Sequence, residues 1–257
     1  MVKTVRNGRH IDTYIPRELR QMFYRNPNPS AKYASHNGYD PYGFSTEGLV
    51  LYLPLWALKG SAFRSVDAYG HTVTATNTTW QPNGRDFAGA DYLSVAHHAS
   101  LIFGTSDFYI WAWIKTVDTA EAYNRIVDKS DAGLASGGYI FYINKTGGAL
   151  RFGIDDTYVS PLTPVDVQDG TWHFVGVDAD RSGNATFYVD AAVDGAVDIS
   201  AEVAFDIDST TALRIGASWA DPIALYLDGL VGEYAEGTGL LGTAGMLDIY
   251  NRTRWRY

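Results

Sequence analysis

The chain has 257 residues, 46% of them apolar and 19% charged, with no cysteine and a net charge of −9. That is enough apolar material for one large core, and the missing cysteines exclude a disulfide framework and thiolate metal sites. No run of about 18 apolar residues occurs, so neither a membrane span nor a membrane partner is expected.

The charge is uneven. Residues 1–45 carry seven Lys/Arg against three Asp/Glu, and residues 46–257 carry 13 against 26. A basic arm on an acidic body is expected to dock on an acidic surface, its own or a neighbour's. The arm has no dense Lys/Arg block, so no nucleic-acid partner is expected. Its first ten residues lack the apolar stretch of a secretory signal.

Residues 1–45 read as an extended docking arm. Residues 17–24, just after Pro16, have the composition of two helical turns, which Asn26-Pro27-Asn28-Pro29 would stop. Residues 33–44 are rich in Gly, Asn and Tyr and show no period. Such a segment buries too little apolar area to fold alone. Arg6, Arg9, Arg17, Phe23 and Tyr24 are therefore the arm's candidate interface residues.

The body, residues 46–257, opens with the apolar run 48–56. Further strands are expected at 73–75, 92–95, 108–115, 125–129, 139–144, 150–154, 171–178, 185–190, 213–217 and 230–236, punctuated by Gly, Asp, Asn and Ser. Many short strands and few helices argue for an all-β sandwich of two antiparallel sheets. Residues 243–253 have a helical period, with Thr243 as candidate N-cap and Met246, Ile249 and Tyr250 on one face.

One strand is apolar on both faces. Phe108, Ile110, Ala112 and Ile114 alternate with Tyr109, Trp111 and Trp113. Three bulky aromatics on the second face need a cover. The arm, a partner subunit, a glycan or the domain's own loops could supply it. Tyr109, Trp111 and Trp113 join the interface candidates.

Several motifs occur in a telling order. They are Leu51-Tyr52-Leu53-Pro54-Leu55, then Asp67 with Gly70-His71-Thr72, then Phe87-Ala88-Gly89-Ala90-Asp91-Tyr92-Leu93. Gly170-Thr171-Trp172-His173-Phe174-Val175, Tyr188-Val189-Asp190 and Leu227-Asp228-Gly229-Leu230-Val231-Gly232-Glu233 follow. Together they resemble the laminin-G-like branch of the concanavalin A-like lectin/glucanase superfamily over about residues 48–257. The resemblance implies a jelly-roll β-sandwich, here with an extended N-terminal arm and a short C-terminal helix. Two positions depart from the pattern: Ala88 and Gly232 stand where the family usually has Asp.

Family members often hold a structural calcium. The resemblance makes Asp67, Asp91 and Asp228 the candidate ligands, since calcium takes oxygen donors from loop carboxylates. Both departures remove carboxylates, and Asp also favours turns because it bonds nearby backbone. No cofactor is certain, and calcium is the one candidate. For sugars, loop aromatics that stack on pyranose faces are the signal: Trp80, Tyr123, Tyr158, Trp219 and Tyr226. The competing reading is that such rings cap the sandwich or pack on partners. No catalytic residue is expected. The body has five Glu, no Glu-x-Asp-x-Glu, and Glu233 and Glu236 should point to opposite faces of a strand. His97-His98 reads as surface.

The expected role is a non-enzymatic structural protein of a virion, a capsid decoration or appendage subunit, made in the cytoplasm. Its arm would clasp neighbouring subunits in a homo-oligomer. The opening residues 44–52 and the ending residues 249–257 resemble laminin-G-like proteins of phages. The alternative is a carbohydrate-binding module that contacts glycans; a glycoside hydrolase ranks below both.

Overall fold

Period-2 apolar patterning and frequent turn residues produce eighteen strands among the described residues. The computed structural model describes residues 2–6, 9–13, 44, 47–117, 122–131, 134, 137–219 and 223–257, the first two stretches as backbone alone. The expected helix at 17–24 lies outside them.

In chain order, β1 (Val2–Arg6) and β2 (Arg9–Thr13) form a hairpin that joins neither large sheet. This stretch of the arm is paired rather than simply extended. The body contains β3 (Leu49–Pro54), β4 (Ala62–Arg64), β5 (Thr72–Thr76), β6 (Thr79–Gln81), β7 (Gly84–Phe87) and β8 (Tyr92–Val95). Next come β9 (Phe108–Thr116), β10 (Tyr123–Ser130), β11 (Gly138–Asn144), β12 (Ala149–Ile154) and β13 (Thr157–Val159). The last strands are β14 (His173–Ala179), β15 (Asn184–Val189), β16 (Ala192–Asp198), β17 (Leu213–Ile215) and β18 (Gly229–Thr238), followed by helix α1 (Gly242–Thr253).

One antiparallel sheet runs β13-β12-β11-β10-β17-β8-β5-β4. The other runs β16-β15-β14-β9-β18-β7-β6. In it, β3 shares the free edge of β18 with β7: Gly229–Val231 pair with β7 and the stretch from Glu233 on pairs with β3. The inward residues of both sheets meet in one core. Val127, Phe141, Phe152 and Ile215 of the first sheet face Phe108, Ile110, Val177 and Phe187 of the second. No helix among the described residues is long and apolar enough to cross a membrane.

A second apolar layer lies outside the β9 sheet, and it corrects the interface expectation for Tyr109, Trp111 and Trp113. These side chains are buried under the chain's own C-terminal segment. Trp111 packs against Tyr52, Phe174 and Phe44, with centroids 5.9, 5.7 and 5.9 Å away. Trp113 stacks on Tyr250 and Tyr257 at 5.5 and 4.5 Å, and its Nε1 donates to Thr253 Oγ1 at 2.8 Å. Met246 and Ile249 of α1 complete the cover, as their helical spacing indicates. Phe44, assigned to the arm from sequence, packs into this layer and belongs with the body.

Thr243 does not cap α1. The N-terminal residue of the cap position is Leu241, which has no capping side chain. Asp178 of β14 supplies the acceptors instead: Oδ1 takes the Leu241 N–H at 3.1 Å and Oδ2 the Gly242 N–H at 2.8 Å. A carboxylate at a helix N-terminus is favoured by both hydrogen bonding and the helix dipole. Gly232 has its own use here. A Cβ there would lie 2.3 Å from the Tyr257 ring, so this position is open to let the C-terminal ring pack on the sheet.

Candidate functional site

The outer face of the β10–β13 sheet is built differently. Along β11, Tyr139, Phe141 and Ile143 enter the core, so Ile140 and Tyr142 face out. Directly paired residues share a face. Tyr142 is flanked by Arg125 of β10 and Arg151 of β12. Ile140 is flanked by Asp128 and Gly153, and Gly153 pairs with Tyr158. Tyr123, at the start of β10, lies opposite Asn144 on the same face.

These side chains form a ladder. The Arg125 guanidinium sits 4.4 Å from the Tyr142 centroid and 5.8 Å from that of Tyr123. The Arg151 guanidinium lies 5.7 Å from the same Tyr142 ring. Tyr142 is buried, whereas Tyr123 and Tyr158 are 36% and 40% exposed and so present open ring surface. Gly153 leaves room for the Tyr158 ring, whose Cδ1 would be 3.1 Å from a Cβ at that position.

Charge on this face is unevenly matched. Asp128 Oδ2 lies 3.4 Å from Arg125 Nε, and its Oδ1 accepts from Ser130 N and Oγ at 3.0 and 2.6 Å. Burial pushes the Asp128 carboxyl above its ordinary range, against the pull of Ser130 and Arg125. Burial likewise raises the Tyr142 and Tyr158 hydroxyls, while the neighbouring arginines oppose it. Arg125 Nη1 and Arg151 Nε are buried with no hydrogen-bond partner among the described residues. On the far side of Asp128, Arg214 donates from Nη1 to the Ser218 and Trp219 carbonyls at 2.8 and 2.6 Å. The Trp219 N–H in turn bonds Asp128.

Of the five aromatic candidates, Tyr123 and Tyr158 share this face, and Trp219 reaches its Asp128 through a backbone N–H. The other two make their hydrogen bonds elsewhere. Trp80 is on β6 of the opposite sheet, where its Nε1 donates to the Trp56 carbonyl at 2.9 Å and Lys59 Nζ sits 4.1 Å above its ring. Tyr226 closes on its own loop through the Ile223 carbonyl at 2.8 Å. Sequence reasoning missed Arg125, Tyr142 and Arg151. Their signal was present: they are the outward positions of three consecutive strands.

The candidate calcium ligands are not assembled. Asp67 is fully buried, and its oxygens accept the backbone N–H groups of Tyr52, Tyr69 and Gly70 at 3.0, 2.8 and 3.1 Å. Asp91 Oδ2 accepts the Ala88 N–H at 3.0 Å. Both act as turn-forming carboxylates. Asp228 is exposed, and it is the Asp228 carbonyl that accepts a hydrogen bond, from Thr116 Oγ1. Asp67 ties to Tyr52, which pairs with Ala235, while Asp228 adjoins the other end of β18. Among the described residues no cluster of three or more His, Asp or Glu is placed to hold a metal.

Of the arm's candidates, Arg6 and Arg9 are backbone partners next to the turn of the β1–β2 hairpin. Arg17, Phe23 and Tyr24 lie outside the described residues. His98 is exposed and accepts the Ser100 N–H at 3.1 Å. Glu233 and Glu236 do point to opposite faces of β18. Glu233 accepts from Tyr52 and Tyr257 in the outer layer, each at 3.0 Å. Glu236 accepts from Tyr139 and Tyr234 inside the core.

Solved structures share this architecture. The receptor binding domain of botulinum neurotoxin C/D mosaic serotype is 13% identical with a TM-score of 0.64, covering 81% of this chain and 52% of that one. The ligand binding domain of botulinum neurotoxin serotype D, in complex with N-acetylneuraminic acid, gives the same four values. The binding domain of Paraclostridial Mosquitocidal Protein 1 is 12% identical, with a TM-score of 0.62 and coverages of 80% and 52%. The chain spans about half the length of these structures, and at such identity the likeness is one of fold. No curated protein matches the sequence. A laminin-G-like family model, described as the concanavalin A-like lectin/glucanases superfamily, matches residues 87–235. That is more than half of the sequence, and the chain belongs to this superfamily.

Proposed function

We propose that the chain is a non-catalytic, lectin-like binding domain whose ligands are glycans. The observation that carries this reading is the outer face of the β10–β13 sheet, where the exposed rings of Tyr123 and Tyr158 stand beside the Arg125–Tyr142–Arg151 ladder. Pyranose rings offer C–H faces for such rings and hydroxyls for guanidinium and carboxylate groups. Membership of a lectin/glucanase superfamily supports the reading, as does likeness in fold to toxin domains described as receptor-binding. The β18 carboxylates support a non-catalytic role. They occupy opposite faces, and each already accepts two phenolic hydrogen bonds.

A glycan array probed with the purified chain, with and without calcium, tests this. Hits are expected, and Tyr123→Ala and Tyr158→Ala should each weaken them about fivefold to tenfold, the scale of one lost ring contact. An array without hits in either condition overturns the reading.

The hairpin favours a second role, as a virion assembly subunit. A two-stranded hairpin is marginal on its own, and β1–β2 pairs with neither large sheet. In this role the basic arm clasps neighbouring subunits of a homo-oligomer in a capsid decoration or appendage. Light scattering should then find the full chain oligomeric and a chain lacking residues 1–43, which spares Phe44, monomeric. Equal masses per chain would remove the clasp.

A further inference from the structure

We infer that the sugar taken by the β10–β13 face is acidic, a pyranose unit bearing a carboxylate, held by Arg125 and Arg151. This rests on the glycan-binding reading above and adds the substrate class. Arg125 is 8% exposed, and its guanidinium and that of Arg151 share one ring, Tyr142. Two cations confined over one ring repel each other unless anions separate them. Among the described residues Asp128 is the one carboxylate in an ion pair there, and its ion pair is with Arg125, at 3.4 Å. Its other oxygen is engaged by Ser130. Asp156, which also acts electrostatically on Tyr158, is exposed and screened by solvent.

Two guanidinium nitrogens, Arg125 Nη1 and Arg151 Nε, are buried without a hydrogen-bond acceptor among the described residues. A buried N–H of a charged group left unpaired is costly, and a planar carboxylate is the acceptor that matches a guanidinium edge. Arg151 is half-buried and stands at the solvent side of the ladder, with the exposed Tyr158 ring on the same face. A sugar carboxylate directed at the guanidiniums would leave the pyranose ring beside Tyr123 or Tyr158. A neutral sugar would leave the excess cation uncompensated.

The intact chain would be titrated calorimetrically with trigalacturonic acid and its methyl ester, and with sialyllactose and lactose. In at least one pair the acidic member is expected to bind about tenfold tighter, the scale of one charge-assisted hydrogen bond. Added salt should weaken that preference. Arg151→Gln should abolish the preference, bringing the acidic member's affinity down to about that of the neutral one. Arg125→Lys, which keeps a charge beside Asp128 but loses the planar fork, should reduce it too. Equal binding of both members overturns the acidic inference and leaves the glycan reading standing. Binding of a sulfated heparin oligosaccharide in preference to every carboxylated sugar also overturns it. An absence of binding here, together with an array without hits, overturns both.

Discussion

Trp111→Ala is expected to destabilise the fold by about 3–5 kcal/mol, the cost of emptying a large aromatic site in a packed layer. Trp111 is fully buried and lies between three other rings, those of Phe44, Tyr52 and Phe174. None of these can fill the space without leaving its own contacts. Phe44 meets Tyr52 edge-on at 5.4 Å, and Phe174 also packs on Trp113 at 5.6 Å. The effect should reach beyond the cavity, because this ring belongs to the seat of the C-terminal segment. Met246 of α1 sits in the same layer, next to Gly176, where a Cβ would lie 3.1 Å from its methyl group. Urea titration of the two proteins gives the measurement, read as a change in midpoint at constant slope. Trp111→Phe, which keeps a ring, should lose clearly less than the alanine variant. A loss below about 1 kcal/mol for alanine would place Trp111 at a surface, and the aromatic face would again need an outside partner.

The same layer shows which parts of the molecule could be read from its residues. Strand β9 was visible as strict alternation, and α1 as Met246 and Ile249 at helical spacing. That these two patterns serve each other was not visible. It depends on a chain reversal after β18 that no local pattern encodes. The capping of α1 was hidden for the same reason: Asp178 lies 63 positions before Leu241 in the sequence. Gly232 looked like a lost carboxylate, yet its missing side chain makes room for Tyr257. Strand β16 was missed because it is an edge strand with a largely exposed pattern and an internal glycine, Gly195, so alternation is weak there. The candidate site was half legible. Tyr123 and Tyr158 could be picked out as loop-proximal aromatics. Arg125, Tyr142 and Arg151 become neighbours only once the register of β10, β11 and β12 is known.

Relative to Glu236→Gln, the wild type is expected to lose stability as pH rises from about 4.5 to about 7, with no further change from this group above that. Glu236 is fully buried in the core between the sheets. Burial raises its pKa to about 7, against hydrogen bonds from Tyr234 and Tyr139 and the charge of Lys129. Lys129 is itself buried, donates from Nζ to the Ser209 and Thr211 carbonyls at 2.6 and 3.2 Å, and is shifted downward by burial. The folded protein therefore holds the Glu236 proton more tightly than the unfolded chain does. Below the ordinary carboxylate range both states are protonated, and the stabilising effect of that tighter hold is fully present. As pH rises, the unfolded chain ionises first, and the effect is lost by the time the folded carboxyl titrates. One pKa unit corresponds to about 1.4 kcal/mol, so the loss for this group approaches about 3 kcal/mol. Glutamine cannot titrate, and it presents a neutral acceptor to the same two phenols. The variant also removes one of the two carboxylates, Glu236 and Asp208, that act on Lys129, which shifts its absolute stability. The informative quantity is thus the slope of the difference, measured by urea titration at pH 4, 5, 6, 7 and 8. Other buried carboxyls shifted upward, Asp128 and Asp178 among them, contribute equally to both proteins and cancel. A difference that stays constant across the range would mean that Glu236 is already ionised in the folded protein at pH 5, paired with Lys129 across the core.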